Sequence, residues 1–195
     1  MPAESDVILE TRSLSFGIGG NCIIDDLSLA VRTGEFLSVI GPNGAGKTTL
    51  FNLISGVYRP TTGELRYQGA DLTRMSASAR TQAGIARSFQ ISAIFPTLRV
   101  LEHARLAAQA RGRGRYQLLR PSTAYPHFLE AGSRSLDLVG LGAMAGRPAG
   151  ALSHGDKRKL ELAMVLAGDP DLLLLDEPTS GLSAEDVPAM AALIQ

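Results

Sequence analysis

The stretch that decides the fold is GPNGAGKTT, Gly41 to Thr49. It follows the apolar run Glu35 to Ile40 and leads into TTLFNLISG, whose apolar residues recur at helical spacing. Glycine, four residues, glycine, lysine and a hydroxyl residue in that order form a backbone cradle for phosphate oxygens, provided a strand precedes it and a helix follows. Glycines at 41, 44 and 46 admit backbone conformations closed to other residues and turn several N–H groups into one concavity. The helix expected to start near Lys47 adds the positive end of its dipole. The Lys47 ammonium is expected to reach the β- and γ-phosphates of a nucleotide, and the Thr48 hydroxyl to ligate Mg²⁺. Gly41, Pro42, Asn43, Gly44, Ala45, Gly46, Lys47, Thr48 and Thr49 are therefore the expected nucleotide-binding residues.

A second cluster lies downstream. Leu172 to Leu175 read as a buried strand that ends in Asp176 and Glu177, at the carboxyl edge where open α/β sheets bind ligands. Asp176 is expected to hold Mg²⁺, and Glu177 to orient or deprotonate the attacking water. The competing reading, an ordinary polar turn closed by Pro178, loses weight once the glycine loop is counted.

The rest of the chain supports one α/β domain. From Val7 to Val31, ILETRSLSF and IIDDLSLAV are separated by the turn-prone Gly17 to Asn21, which predicts antiparallel strands. A helix ending at Gly56 and a short strand over Glu64 to Gln68 come next. Residues 76–141 read as mostly helical, with a strand-like passage at Ile85 to Gln90 and an amphipathic helix over Val100 to Arg111. The basic, proline-bearing segment 111–128 reads as a loop or an accessory contact. A helix from Asp156 to Gly168, the strand at 172–175 and a final helix follow. Strands alternating with helices predict a parallel sheet core. The fold class expected is thus a P-loop NTPase α/β core with an N-terminal antiparallel β subdomain and an inserted α-helical subdomain over about 91–165.

Composition bounds the partners. With 195 residues, 45% of them apolar, the chain can bury one substantial core. Nineteen basic and nineteen acidic side chains cancel, so no bulk charge draws it to nucleic acid or to an anionic membrane surface. Its single cysteine, Cys22, makes no internal disulfide, which fits a reducing, cytoplasmic setting. No apolar run reaches the length needed to span a bilayer, so direct membrane insertion is not expected.

The segment LSHGDKRKLELA at 152–163, just upstream of the acid-ending strand, makes a resemblance specific: the chain is similar to ATP-binding-cassette ATPases over nearly its whole length. The segment resembles the family signature Leu-Ser-Gly-Gly-Gln followed by a basic helix. The resemblance implies that Ser153 and Gly155 contact the γ-phosphate of ATP held by a second copy or a paralogous ATPase subunit. Ser153 and Asp156 also form a capping box, so the helix start is defined by local chemistry alone. His154 and Asp156 depart from the signature's glycine and glutamine. Together with IARSFQ at 85–90, they resemble the branch that imports branched-chain amino acids, amides or urea.

The resemblance further implies that Gln90 touches Mg²⁺ or the attacking water, and that Phe16 stacks on adenine. A core-facing ring is the alternative for Phe16. Residues 180–183, SGLS, correspond to a family loop that ends in aspartate where this chain has Ser183. It implies transmembrane permease subunits as partners, ATP and Mg²⁺ as cofactors, and a place on the inner face of the cell membrane. The alternative is a soluble ATPase of the same superfamily acting in DNA repair or translation. Against that alternative, no second cassette, zinc-binding cysteines or long heptad segment is present.

A histidine that in the family follows the last helix has no counterpart, since His103, His127 and His154 all precede the acid pair. The expectation is a domain lacking its C-terminal end, which binds Mg-ATP and hydrolyses it slowly.

Overall fold

The computed structural model describes residues 6–88, 94–112 and 125–176. The chain divides into two compact units between Ile85 and Ala86.

In the first unit, β1 (Val7–Ile18) and β2 (Asn21–Arg32) pair antiparallel around a tight turn at Gly19 and Gly20. With β3 (Thr62–Tyr67) and β4 (Ala70–Asp71) they make a sheet in the order β2-β1-β3-β4. The antiparallel expectation for this region holds. The β1–β2 register shifts between Thr11 and Leu14. There the buried Thr11 hydroxyl donates to Leu27 O at 3.0 Å and accepts from the Leu29 N–H at 3.0 Å, so the side chain bridges the two strands beside the irregularity.

Helix α1 (Lys47–Ser55) buries Leu50, Leu53 and Ile54 and stops at Gly56, whose φ of 81° is left-handed. Val57 N–H closes back on Asn52 O at 2.9 Å, the six-to-one bond of a Schellman end. The carbonyls left over at this end go to Arg80, on the short α2 (Ala77–Ala83). Its fully buried guanidinium donates to Ile54 O at 2.9 Å, Leu53 O at 2.5 Å, Leu72 O at 2.6 Å and Met75 O at 3.1 Å. A cation at the negative end of a helix is favourable. Burial, helped by the Arg59 charge and opposed by Asp71, pushes this guanidinium below its ordinary value. Nothing in the apolar periodicity singled out Arg80.

One expectation fails here. Glu35 to Ile40 do not form a strand; residues 35–42 carry no regular structure, and Phe36 and Ile40 are 66% and 90% exposed. An apolar run becomes a buried strand only where neighbouring strands satisfy its backbone on both edges, and this run belongs to neither hydrogen-bonded sheet.

Strand β5 (Ile85–Arg87) spans the division and is hydrogen-bonded to β6 (Leu172–Leu174). The rest of the second unit is built on α3 (Val100–Arg111), α4 (Pro126–Leu138) and α5 (His154–Ala167). Helix α3 turns Val100, Ala104 and Ala108 inward, and α4 turns Phe128, Gly132 and Leu136 inward, one turn apart in each case. The helices approach so closely at Gly132 that a Cβ there would lie 2.8 Å from Arg105 N. Helix α4 begins inside the segment read as a loop, because Pro126 at its first turn fixes φ and needs no donor. Leu172 and Leu173 are half-buried and only Leu174 is buried, so the strand is less enclosed than its all-leucine sequence suggests.

The buried His103 ties α3 to the segment before it. Its Nε2 accepts the Phe95 N–H at 3.0 Å while Nδ1 lies 2.9 Å from Arg99 O, which puts the proton on Nδ1. At the other end of α3, Arg111 donates to Gly168 O at 2.6 Å and also to Asp169 O, and pairs with Asp171, closing the C-terminus of α5.

Two substitutions test this account by urea unfolding. Gly132→Ala forces α3 and α4 apart and is expected to cost about 1–3 kcal/mol. Arg80→Met removes the guanidinium donor from four carbonyls, of which Leu53 O and Leu72 O keep a backbone N–H, and is expected to cost about 1–3 kcal/mol; a loss under about 0.5 kcal/mol would show that the other carbonyls find new partners.

Candidate functional site

The glycine loop sits where the chain turns into α1. Gly44 and Gly46 have φ of 84° and 86°, and Gly46 is the residue before the helix. A Cβ on Gly46 would also press on Ile23 O at 3.1 Å, so both conformation and space demand glycine. No side chain caps α1, and its first turn carries no acid. The first amides of the helix therefore have no acceptor of their own, and an anion is the natural one. Pro42, Asn43, Gly44, Ala45 and Thr48 are exposed, whereas Gly41, Gly46, Lys47 and Thr49 are half-buried. The Lys47 ammonium folds back over the loop and donates to Gly41 O at 2.6 Å and Pro42 O at 2.8 Å. Lys47 thus ties the start of the loop to the first residue of α1.

Phe16 is buried, and one of its faces is covered by Tyr58, with ring centres 5.1 Å apart and planes 10° from parallel. Tyr58 escaped the sequence reading; an aromatic just past a helix end gives no periodic signal.

In the second unit, Asp176 follows the end of β6 by two residues, with Leu175 between. Its side chain is 8% exposed and bonds Arg87 Nη2 through Oδ2 at 3.3 Å. Its N–H donates to Ser88 Oγ at 3.2 Å, and the Ser88 N–H donates to Leu174 O at 2.9 Å. The end of β5 thus clasps the end of β6. Arg87 lies within IARSFQ, yet nothing in a sequence reports which acid an arginine meets across a sheet. Gln90, Glu177 and residues 180–183 lie outside the described residues.

Ser153 caps α5, its Oγ accepting the Asp156 N–H at 3.1 Å and donating to Asp156 Oδ2 at 2.7 Å. The Ser153 half of the expected capping box holds, whereas the Asp156 carboxylate takes the Ser153 hydroxyl in place of its backbone N–H. The first turn already carries a carboxylate of its own, so an incoming anion at Ser153 and Gly155 meets a negative charge as well as free amides.

A glycine-rich turn opens an uncapped helix here, an arrangement suited to an anion such as phosphate. The profile of the ABC transporter family matches residues 24–180, and the chain belongs to that family, whose members bind and hydrolyse ATP. It is similar to LivG of Salmonella typhimurium, a high-affinity branched-chain amino acid transport ATP-binding protein, at 33% identity over 97% of this chain and 76% of the relative. BraF of Pseudomonas aeruginosa, of the same description, is 33% identical over 96% of this chain and 75% of its own length. Among solved structures, the ADP conformation of an ATP-binding cassette of an ABC transporter superposes with a TM-score of 0.79 at 27% identity, covering 96% of this chain and 74% of that one. The α/β P-loop class expected from the sequence is thereby established. Among the described residues no helix is long and apolar enough to cross a membrane.

Ser153→Ala removes the α5 cap and is expected to cost about 1 kcal/mol in thermal or urea unfolding.

Proposed function

We propose that this chain is the ATP-hydrolysing subunit of an importer for branched-chain amino acids or a related amide or urea solute. The observation that carries the proposal is the match to LivG and BraF along nearly the whole chain, together with the uncapped start of α1. The transport role named for these relatives argues against the soluble alternative in DNA repair or translation.

In this reading the free backbone amides of the glycine loop and of the first turn of α1 take the phosphates. Lys47 exchanges the Gly41 and Pro42 carbonyls for phosphate oxygens. Mg²⁺ fits the donors available, since the Thr48 hydroxyl and the Asp176 carboxylate are hard oxygen ligands, with Gln90 as a third. When bound it would neutralise charge on the phosphate oxygens. Glu177 orients the water, and Ser153 with Gly155 serves the nucleotide of a second copy or a paralogous subunit. Phe16, with Tyr58 over one face, can offer adenine at most its other face or an edge. Permease subunits hold the pair at the inner face of the cell membrane, since no described helix can.

Titration of the purified chain with ATP tests the site. Lys47→Ala is expected to weaken binding by about 10- to 100-fold, a loss of about 1.4–2.8 kcal/mol. An unchanged affinity would remove Lys47 from the site. Uptake of radiolabelled leucine by cells lacking the gene tests the solute, and loss of anion uptake with leucine uptake intact would overturn that assignment.

A further inference from the structure

The clasp between β5 and β6 places a guanidinium on the carboxylate that the proposed function gives to magnesium. The Asp176 side chain is 8% exposed and that of Arg87 16%, so the pair is largely withdrawn from solvent. A carboxylate so placed needs a partner, because an uncompensated buried charge is costly. Among the described residues Arg87 is the one cation paired with it. The contact is a single one, at 3.3 Å through Oδ2, longer than the usual 2.7–2.9 Å for charged partners and without the two-pronged geometry that makes such pairs strong. The bonds made by Ser88, its Oγ to the Asp176 N–H and its N–H to Leu174 O, do not involve the arginine.

We propose that Arg87 is a positioning residue that stands in for the cation at Asp176. It compensates the carboxylate while the nucleotide site is without metal, and it opposes metal binding by occupying one carboxylate oxygen and by its own positive charge. This rests on the reading of Asp176 as a magnesium ligand. Arg87 lies three residues before Gln90, so the residue that yields to the metal is on the same short segment as the glutamine assigned to sense it. The clasp therefore sets the magnesium concentration at which the site fills, without touching the nucleotide.

The test is the Mg²⁺ dependence of ADP affinity in the full chain, measured by calorimetry at fixed ionic strength. In R87Q the Mg²⁺ concentration for half-maximal enhancement is expected to fall by about tenfold. ADP affinity without Mg²⁺ stays within about twofold of wild type, and the metal-free melting temperature drops as the carboxylate loses its partner. R87K, which keeps the charge, stays within about threefold of wild type in its Mg²⁺ midpoint. An R87Q midpoint that is unchanged or higher overturns the proposal.

D176N separates the two readings. A midpoint unmoved by D176N shows that Asp176 is not a ligand, and both fall. A midpoint raised by D176N but unmoved by R87Q leaves the ligand reading intact and removes only the role of Arg87. Should R87Q fail to fold, the side-chain nitrogen resonances of Arg87 in the wild-type chain, assigned with R87K, decide the question. They are expected to move with Mg-ADP and not with ADP alone, and equal movement with both overturns the proposal.

Discussion

A helix that starts without a side-chain cap leaves its first amides to something outside the helix, and α1 is such a helix. Gly46 supplies the left-handed turn but no acceptor, and the first turn contains no acid. The far end is closed: Gly56 ends the helix, and Arg80 takes up the leftover carbonyls. One end is saturated and the other left open, so the helix offers a fixed array of donors at the glycine loop. Around this asymmetry the neighbouring chemistry falls into place, including the Lys47 ammonium held in readiness by the loop's own carbonyls.

The signature helix shows the opposite choice. Helix α5 is capped by Ser153, and Asp156 is drawn into the cap. Both helices present N-termini, yet the first is electrically open and the second partly satisfied from within. Two helix starts therefore differ in how strongly they attract an anion, and two side chains, Ser153 and Asp156, make the difference.

What the sequence discloses follows from the range of each interaction. Helices α1, α3 and α5 were legible because their stops, spacing and caps are set by residues three or four apart. The antiparallel β1–β2 pair was legible from its strand-forming runs and glycine turn. The run from Glu35 to Ile40 was misread, since an apolar string says that burial is favourable but not that partner strands are there to receive it. The start of α4 was hidden by Pro126, which breaks helices in their interior and begins them at their first turn. In the candidate site, the glycine loop and Asp176 could be named outright. Tyr58, Arg80 and Arg87 could not, because each acts through a partner fixed by packing: Phe16, the end of α1 and Asp176.

Arg111 reaches from the last turn of α3 to Gly168, Asp169 and Asp171, and the chain from there runs through β6 to Asp176 within five residues. The helical part of this unit is consequently tethered to the carboxylate by a short stretch of backbone with little slack. The end of α3 and the carboxylate are thereby kept a fixed few residues apart along the chain, so the acid's place is framed from two sides, by Arg111 at one end of β6 and by Ser88 at the other.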